Sequence, residues 1–466
     1  MKNKLSIFLV AGCTLLGAGC TKFLDINSDP NNPLKVKEAQ ILGPVEISTS
    51  TTVVGGLYGT VTAYWMQQLS LNQASPSLES YTITPVDADN TWNYYLYPNV
   101  FQNLNTMIDL AEQQRHPEYA AIGKALFAYN LAIATDLWGN IPYTQAFKIP
   151  TIMQPGYDKQ EAIYATIQQM LDSSLYYMDQ PEGAVTPAAE DYIYKGDMKQ
   201  WKKFVYTLKA RYHMRLSKAP GHTAVQEADN ALLALQQGFQ SNADNALVAY
   251  PGSGQAENPW YMNTGDASGG VVMAQSFIDS LVLRHDPRLA VFATRGNKGN
   301  YAGRRVGDMP AADPDSFSLV NEFYAGAAAP LYMATYSEAL FIKAEATFIK
   351  QGAAAASLVY RDAIAAHMTM LGIPDAAQQT YINSRPALTA TNALAQIITE
   401  KYVAGFLSPE TYNDWRRTGY PLLKPYQDEI VKSIPRRWPY PANELLTNPQ
   451  PDQKVTGSDR VWWDGN

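Results

Sequence analysis

Apolar positions recur every three to four residues along most of the chain, and clusters of Gly, Pro and Asn separate the periodic stretches. From about residue 45 onward this pattern predicts helix after helix: 97–115, stopped near His116-Pro117; 119–137, ended by Gly139-Asn140-Ile141-Pro142; 159–178; 198–217; and 223–237, with Gly238 after it. Alternating Val/Ile/Thr segments at regular spacing are not found, which argues against a sandwich or barrel. The helical pattern gives way at 248–321, a stretch rich in Gly, Pro, Asp and Asn with Trp260 and Tyr261 embedded in it. Loops of that length in compact proteins are functional or disordered, so a loop-rich insertion is expected there.

The clearest local architecture lies at 336–370, where SEALFIKAEATFIKQGAAAASLVYRDAIAAHM reads as two helices separated by Gln351-Gly352. Gly352 is the natural stop, because glycine takes a positive φ without penalty. Ala339, Ala344, Ala346 and the alanines at 353–356 are small enough to let two antiparallel helices approach closely. A helix pair of this length is the signature of a tetratricopeptide-type hairpin. One hairpin cannot bury its own face, so the earlier helix pairs are expected to stack on it. The fold class expected is mainly α, with tetratricopeptide-like repeats and a loop-rich ligand-binding part.

The first residues follow a different logic. Lys2 and Lys4 precede a nearly uncharged apolar stretch at 5–18, too short to span a bilayer, which takes about 20 apolar residues. It reads as an export signal over residues 1–19. Gly17-Ala18-Gly19 stand directly before Cys20, the small-residue pattern of a lipoprotein cleavage site, with Cys20 as the lipidated residue. Val10-Ala11-Gly12-Cys13 fits the local pattern too, but it leaves only residues 5–10 as the apolar stretch. With two cysteines in all, cleavage before Cys20 leaves a chain without a disulfide, to be held together by its core. Residues 20–44 then form a lipidated tether and loop, rich in turn residues at Ser28-Asp29-Pro30-Asn31-Asn32-Pro33, and 45–466 a single domain.

The net charge of −7, more negative still once Lys2 and Lys4 leave with the signal, argues against nucleic acid as a partner. The aromatic content changes the picture more: 30 Tyr, 9 Trp and 14 Phe stand beside only 17% charged residues. Such an excess of Tyr suggests a surface built for stacking and hydrogen bonding.

Seven blocks in order carry a family resemblance: FLDINSDPNNP at 23–33, AYNLAIATDLWGNIPYTQAF at 128–147, WKKFVYTLKARYHMRLSK at 201–218, RHDPR at 284–288, SEALFIKAEA at 337–346, EKYVAGFLSPETYNDWRRTGYP at 400–421 and RRWPYPANELLTNP at 436–449. Together they make the chain resemble the SusD/RagB nutrient-binding lipoproteins of Bacteroidota, and the distance from Cys20 to Phe23-Leu24-Asp25 selects Cys20 over Cys13. The resemblance implies four tetratricopeptide-like units and attachment to the outer membrane through lipid, facing the cell exterior. It also implies a SusC-like TonB-dependent barrel as partner and an oligosaccharide, or less often a peptide, as cargo. The sequence departs from the family in one respect: Thr21 and Lys22 follow the cysteine, and Asp25 is the only early acid.

No catalytic residue, metal ligand or cofactor is assigned. Glu338 and Glu345 lie seven positions apart on one helix, about 10.5 Å along its axis, whereas a glycosidase pair sits roughly 5–9.5 Å apart across a cleft. An Ala-rich hairpin is a poor cleft, and such carboxylates pair with arginines such as Arg416 or Arg417. A secreted helical glycoside hydrolase and a purely protein-binding repeat scaffold are therefore the lesser readings. No two of the five histidines have helical zinc spacing. A sugar ring offers an apolar C–H face and a hydroxyl edge, so it stacks on Trp or Tyr while amides and carboxylates take the hydroxyls. Two stretches outside clear helix cores offer that mixture: 81–97, with Tyr81, Asn90, Trp92 and Tyr94, and 255–263, with Asn258, Trp260 and Tyr261. Tyr324 is a further candidate, while Trp65 and Trp415 are expected in the core.

Overall fold

The computed structural model describes residues 36–74, 77–148, 150–264, 270–309, 311–425 and 432–465. The export signal at 1–19, Cys20 and the tether up to residue 35 lie outside the described residues. The first described helix, α1 (Glu38–Ile47), runs into a π-wound turn, Ser48–Val54, and is followed by α2 (Leu57–Trp65) and strand β1 (Leu69–Leu71). Helix α3 (Pro85–Asn90), a π-wound segment Thr91–Gln102 and helix α4 (Asn103–Gln114) then form one unbroken rod. It ends at Arg115, whose φ of 62° is left-handed.

The centre of the molecule is α5 (Pro117–Trp138). Pro117 opens it at the position where a missing N–H costs nothing, and nearly every residue after it is buried, the mark of a helix enclosed on all sides. It packs between α4 and α6 (Gln160–Met178). Next come α7 (Met198–Arg215) and α8 (Ala224–Leu235). Asp197 starts α7 by accepting from the backbone N–H of Lys199 and Gln200, and Thr223 caps α8 through Gln226 N–H at 3.2 Å.

The loop-rich stretch contains β2 (Ala246–Val248), α9 (Pro259–Thr264), β3 (Val271–Met273), α10 (Gln275–Leu283), α11 (Leu289–Phe292), α12 (Glu322–Ala325) and β4 (Leu331–Ala334). Two small antiparallel ladders hold it: β1 to β3, with Leu69 opposite Met273, clips it to the body, and β2 to β4, with Val248 opposite Leu331, joins its two ends. The expected hairpin follows as α13 (Tyr336–Gln351) and α14 (Ala353–Met370), separated by Gly352 at φ 84°. Ala344, Ala356 and Ala363 are buried, so the two helices meet closely. The described chain closes with α15 (Asp375–Asn383), α16 (Ala393–Ala404), α17 (Glu410–Thr418) and α18 (Ala442–Thr447). The protein is thus mainly helical, built of tetratricopeptide-like antiparallel pairs. The helices expected at 119–137, 159–178, 198–217 and 223–237 stand within two residues of their predicted ends.

The structure differs from the expected pattern in two places: at 38–44, read as the end of a tether but folded into α1 with Ile41 and Leu42 buried, and at 85–96, read as lying outside clear helix cores. Thr84 accepts from Asp87 N–H while the Asp87 carboxylate accepts from Thr84 N–H at 2.7 Å, with Pro85 at the first helical position. That reciprocal cap starts the rod twelve residues before the predicted start at residue 97.

Helix α1 is fastened to the body through a buried carboxyl. Glu46 is fully buried, and its Oε2 accepts from Tyr192 N–H at 2.6 Å. Neighbouring Asp191 is also buried, but its carboxylate takes the N–H groups of Ile193, Tyr194 and Gly196 and the Trp201 indole N–H. Burial, then the Asp191 charge, push the Glu46 carboxyl well above the usual carboxylate range. A carboxyl whose folded pKa is raised keeps a proton that the unfolded chain has lost. Stability therefore falls as pH climbs from the unfolded value, about 4.3, towards the folded one. Glu46→Gln, which cannot titrate, is expected to gain melting temperature over the native chain progressively as pH rises above that unfolded value. A gap that stays constant as pH rises in thermal melts contradicts this assignment.

Candidate ligand-binding site

The sequence candidates fall into two groups, those whose side chains face inward and those that reach solvent. Trp92 is only 4% exposed. Its ring lies edge-on to Trp138 at 5.0 Å, against Tyr97 at 4.6 Å and near-parallel to Tyr157 at 6.3 Å. It pins the π-wound segment to α5. Tyr81 is buried too, in a left-handed turn at φ 70°, an uncommon conformation for a bulky residue.

Asn258, Trp260 and Tyr324 come together in the interior. Both ends of the Asn258 amide are used, Nδ2 donating to Ala329 O at 2.8 Å and Oδ1 accepting from Trp260 N–H at 2.6 Å. Trp260 is 3% exposed. Its helix seats on Gly55 and Gly59, where an added Cβ at Gly55 would lie 2.4 Å from Pro259 Cγ. Tyr324 packs edge-on to Phe406 at 5.2 Å, and its hydroxyl faces His367 Nε2 at 3.4 Å. Trp260 and Tyr324 line one cavity with Glu338, Lys401, Glu410 and Asp414, of about 60 Å³. That has room for a few waters, far below the roughly 300 Å³ at which small-ligand pockets begin.

The carboxylates around this cavity are structural. Arg211 holds Glu338 with two bonds of 2.8 and 2.7 Å, and Arg417 holds Glu345 with bonds of 2.5 and 2.8 Å. Against the upward push of burial, Lys401 and Arg417 hold the Asp414 carboxyl down at about 2. Of the two carboxylates weighed as a hydrolytic pair, each is thus taken by an arginine. Among the described residues no cluster of three or more His, Cys, Asp or Glu is arranged to hold a metal ion.

The solvent-facing group is Asn90, Tyr94 and Tyr261. Tyr94 is 63% exposed and Tyr261 42%, and Asn90 is exposed one turn before Tyr94. Asn90 and Tyr94 sit at the junction of α3 with the π-wound segment. Such winding is rare and is found frequently at functional sites. Helix α18, which the pattern of the sequence did not single out, packs beside α3, with Asn443 N–H donating to Asp89 at 3.0 Å and Leu446 exposed. Its signal was the Pro-Ala-Asn-Glu start at 441–444. The surface so formed presents an aromatic ring, an exposed amide and apolar side chains on helices whose inner faces are fixed, which suits a flat ligand with one apolar face.

Residues 30–441 match the model of a family described as SusD-like, starch-binding and associating with the outer membrane. No curated protein matches the chain. Among solved structures, a chitin-binding protein superposes with a TM-score of 0.79 at 25% identity, covering 92% of this chain and 100% of that one. A SusD/RagB family protein from Bacteroides thetaiotaomicron gives 0.76 at 22% identity, over 92% and 99% of the two chains. A chitin-binding SusD homolog from Flavobacterium johnsoniae gives 0.72 at 23%, over 91% and 96%.

The two groups of aromatic residues answer differently to truncation. Trp260→Ala is expected to leave a cavity and cost about 3–5 kcal/mol, whereas Tyr94→Ala should stay within about 0.5 kcal/mol of the native chain. Urea denaturation of both variants measures this. A destabilised Tyr94 variant would show that its ring packs rather than waits for ligand.

Proposed function

The chain belongs to the SusD-like family, and on that premise we propose that it captures an oligosaccharide at the outer membrane and delivers it to a SusC-like TonB-dependent barrel. Proteins of this family are binding proteins associated with the outer membrane. The observation that carries the reading for this chain is the Tyr94 ring, 63% exposed on a segment pinned by buried Trp92, with the exposed Asn90 amide one turn away. A pyranose laid on that ring buries its C–H face and turns its hydroxyls to Asn90. Tyr261 offers a second exposed ring. That two structurally similar proteins are described as chitin-binding makes β-linked amino-sugar oligomers the first ligands to try.

Attachment rests on Cys20. Acylation of its thiol and amine supplies more than one buried chain, and one alone anchors only marginally. Among the described residues no helix is long and apolar enough to cross a membrane.

Two experiments test the proposal. Tyr94→Ala and Tyr261→Ala, titrated calorimetrically against chito- and malto-oligosaccharides, are expected to lose on the order of 1–3 kcal/mol of binding each, roughly 5- to 150-fold in affinity. Native affinity in both variants contradicts the stacking surface, and preferential binding of peptides contradicts the choice of cargo. Separately, cells fed a labelled fatty acid should mark the native protein and leave Cys20→Ala unlabelled; label retained by the variant contradicts the anchor.

A further inference from the structure

Outside that surface, the stretch between α11 and α12 folds back on itself into two arms. The bridge between Ala293 and Val320 closes its base. Thr294 N–H donates to Leu319 O at 2.9 Å, and Leu319 N–H to Thr294 Oγ1 at 3.0 Å. Further out, Asn297 N–H donates to Asp315 O at 2.7 Å. Gly296 permits this approach, since an added Cβ there would stand 2.7 Å from Ser316 O. Tied in this way, the arms enclose an open dimple of about 290 Å³ whose wall includes Arg295, Asn297, Asp315, Phe317 and Leu319. This is close to the lower limit of roughly 300 Å³ for small-ligand pockets.

Asn297 spends its side-chain amide on Asp313 Oδ2 at 3.3 Å, while Arg295 and Asp315 keep hydrogen-bonding capacity. The Arg295 guanidinium lies over the Tyr301 ring at 4.4 Å and donates Nη1–H to Gly299 O at 2.8 Å. Its other N–H groups meet no acceptor among the described residues. The Asp315 carboxylate accepts no hydrogen bond and forms no ion pair among the described residues, although its backbone ties the arms together. Phe317 supplies a half-buried ring beside them.

We propose that this dimple is a second saccharide-contact site, taking one neutral pyranose with its C–H face on Phe317 and two adjacent hydroxyls on Arg295 and Asp315. The pairing of charges selects that class of ligand. Asp315 repels an anion and Arg295 a cation, whereas a hydroxyl pair can donate to the carboxylate and accept from the guanidinium at once. Because the arms are already fixed to each other, little conformational entropy is lost on binding. The proposal rests on the reading of the chain as a glycan-binding protein, and it shares no residue with the Tyr94 surface.

The test is calorimetric titration of the full chain and its Phe317→Ala, Asp315→Asn and Tyr94→Ala variants with whichever chito- or malto-oligosaccharide the native protein binds best. Phe317→Ala and Asp315→Asn are each expected to weaken binding at least 5-fold, with Asp315→Asn unchanged in melting temperature. Native-like binding by both variants, with Tyr94→Ala weakened, overturns the second site and leaves glycan capture standing. Failure of the native chain to bind any of these sugars overturns both.

Discussion

The helical scaffold depends on one buried carboxylate. Asp136, near the end of α5, takes Arg215 from α7, the Tyr164 hydroxyl from α6 at 2.5 Å, Asn413 from α17 at 3.3 Å and the Trp463 indole from the C-terminal segment at 2.7 Å. Arg416 adds a bond of 2.6 Å to its backbone carbonyl. A buried charge costs several kcal/mol unless its oxygens are fully engaged, so these elements must arrive together at one point. From there Arg215 reaches Glu410, and Glu410 and Glu338 flank Arg211. Arg417 and Lys401 continue the network to Glu345 and Asp414. The helix pairs are thus joined by directional contacts as well as by apolar packing, which fixes their register as hydrophobic burial alone does not.

That constraint determines what the rest of the chain can do. Charged groups that would suggest catalysis in isolation are consumed in holding helices together, and the cavity beside them is too small for a sugar. The surfaces we propose for ligand are therefore outer faces of elements fixed from within: Tyr94 and Asn90 on the rod anchored by Trp92, Tyr261 on the short helix seated against Gly55 and Gly59, and the tied arms around Phe317. Buried Trp92 fixes the backbone beside Tyr94 and buried Trp260 the backbone beside Tyr261, and backbone hydrogen bonds do the same for the arms around Phe317.

Much of the fold was legible in the sequence because its signals are local. The helix periodicity, Pro117 at a helix start, Gly352 between two helices and the alanines of the hairpin each act within a turn or two of the chain. Within the rod the same logic separates residues that composition alone had grouped. Trp92, Leu96 and Val100 recur at four-residue spacing and all are buried, while Asn90 and Tyr94 belong to the opposite face, because residues two apart on a helix do not share a side. Once the Thr84-Pro85-x-Asp87 cap is read as a helix start, Trp92 has to point inward. The burial of Trp260 had no such signal. Its seat is made by glycines some two hundred residues earlier, and the cavity it shares with Tyr324 is closed by α13, α16 and α17. Likewise the pairing of Glu338 with Arg211 joins residues far apart in the chain, and no spacing rule brings them together.

The central claim, that a rigid helical scaffold presents exposed aromatic rings to a sugar, is tested most directly by a crystal structure of the protein soaked with a chito-oligosaccharide. The account predicts a pyranose ring lying flat on Tyr94, with Asn90 on a hydroxyl, Trp92 still in its buried position and the Asp136 contacts unchanged. Sugar density inside the cavity between Trp260 and Tyr324, reached by displacement of the surrounding helices, would contradict it.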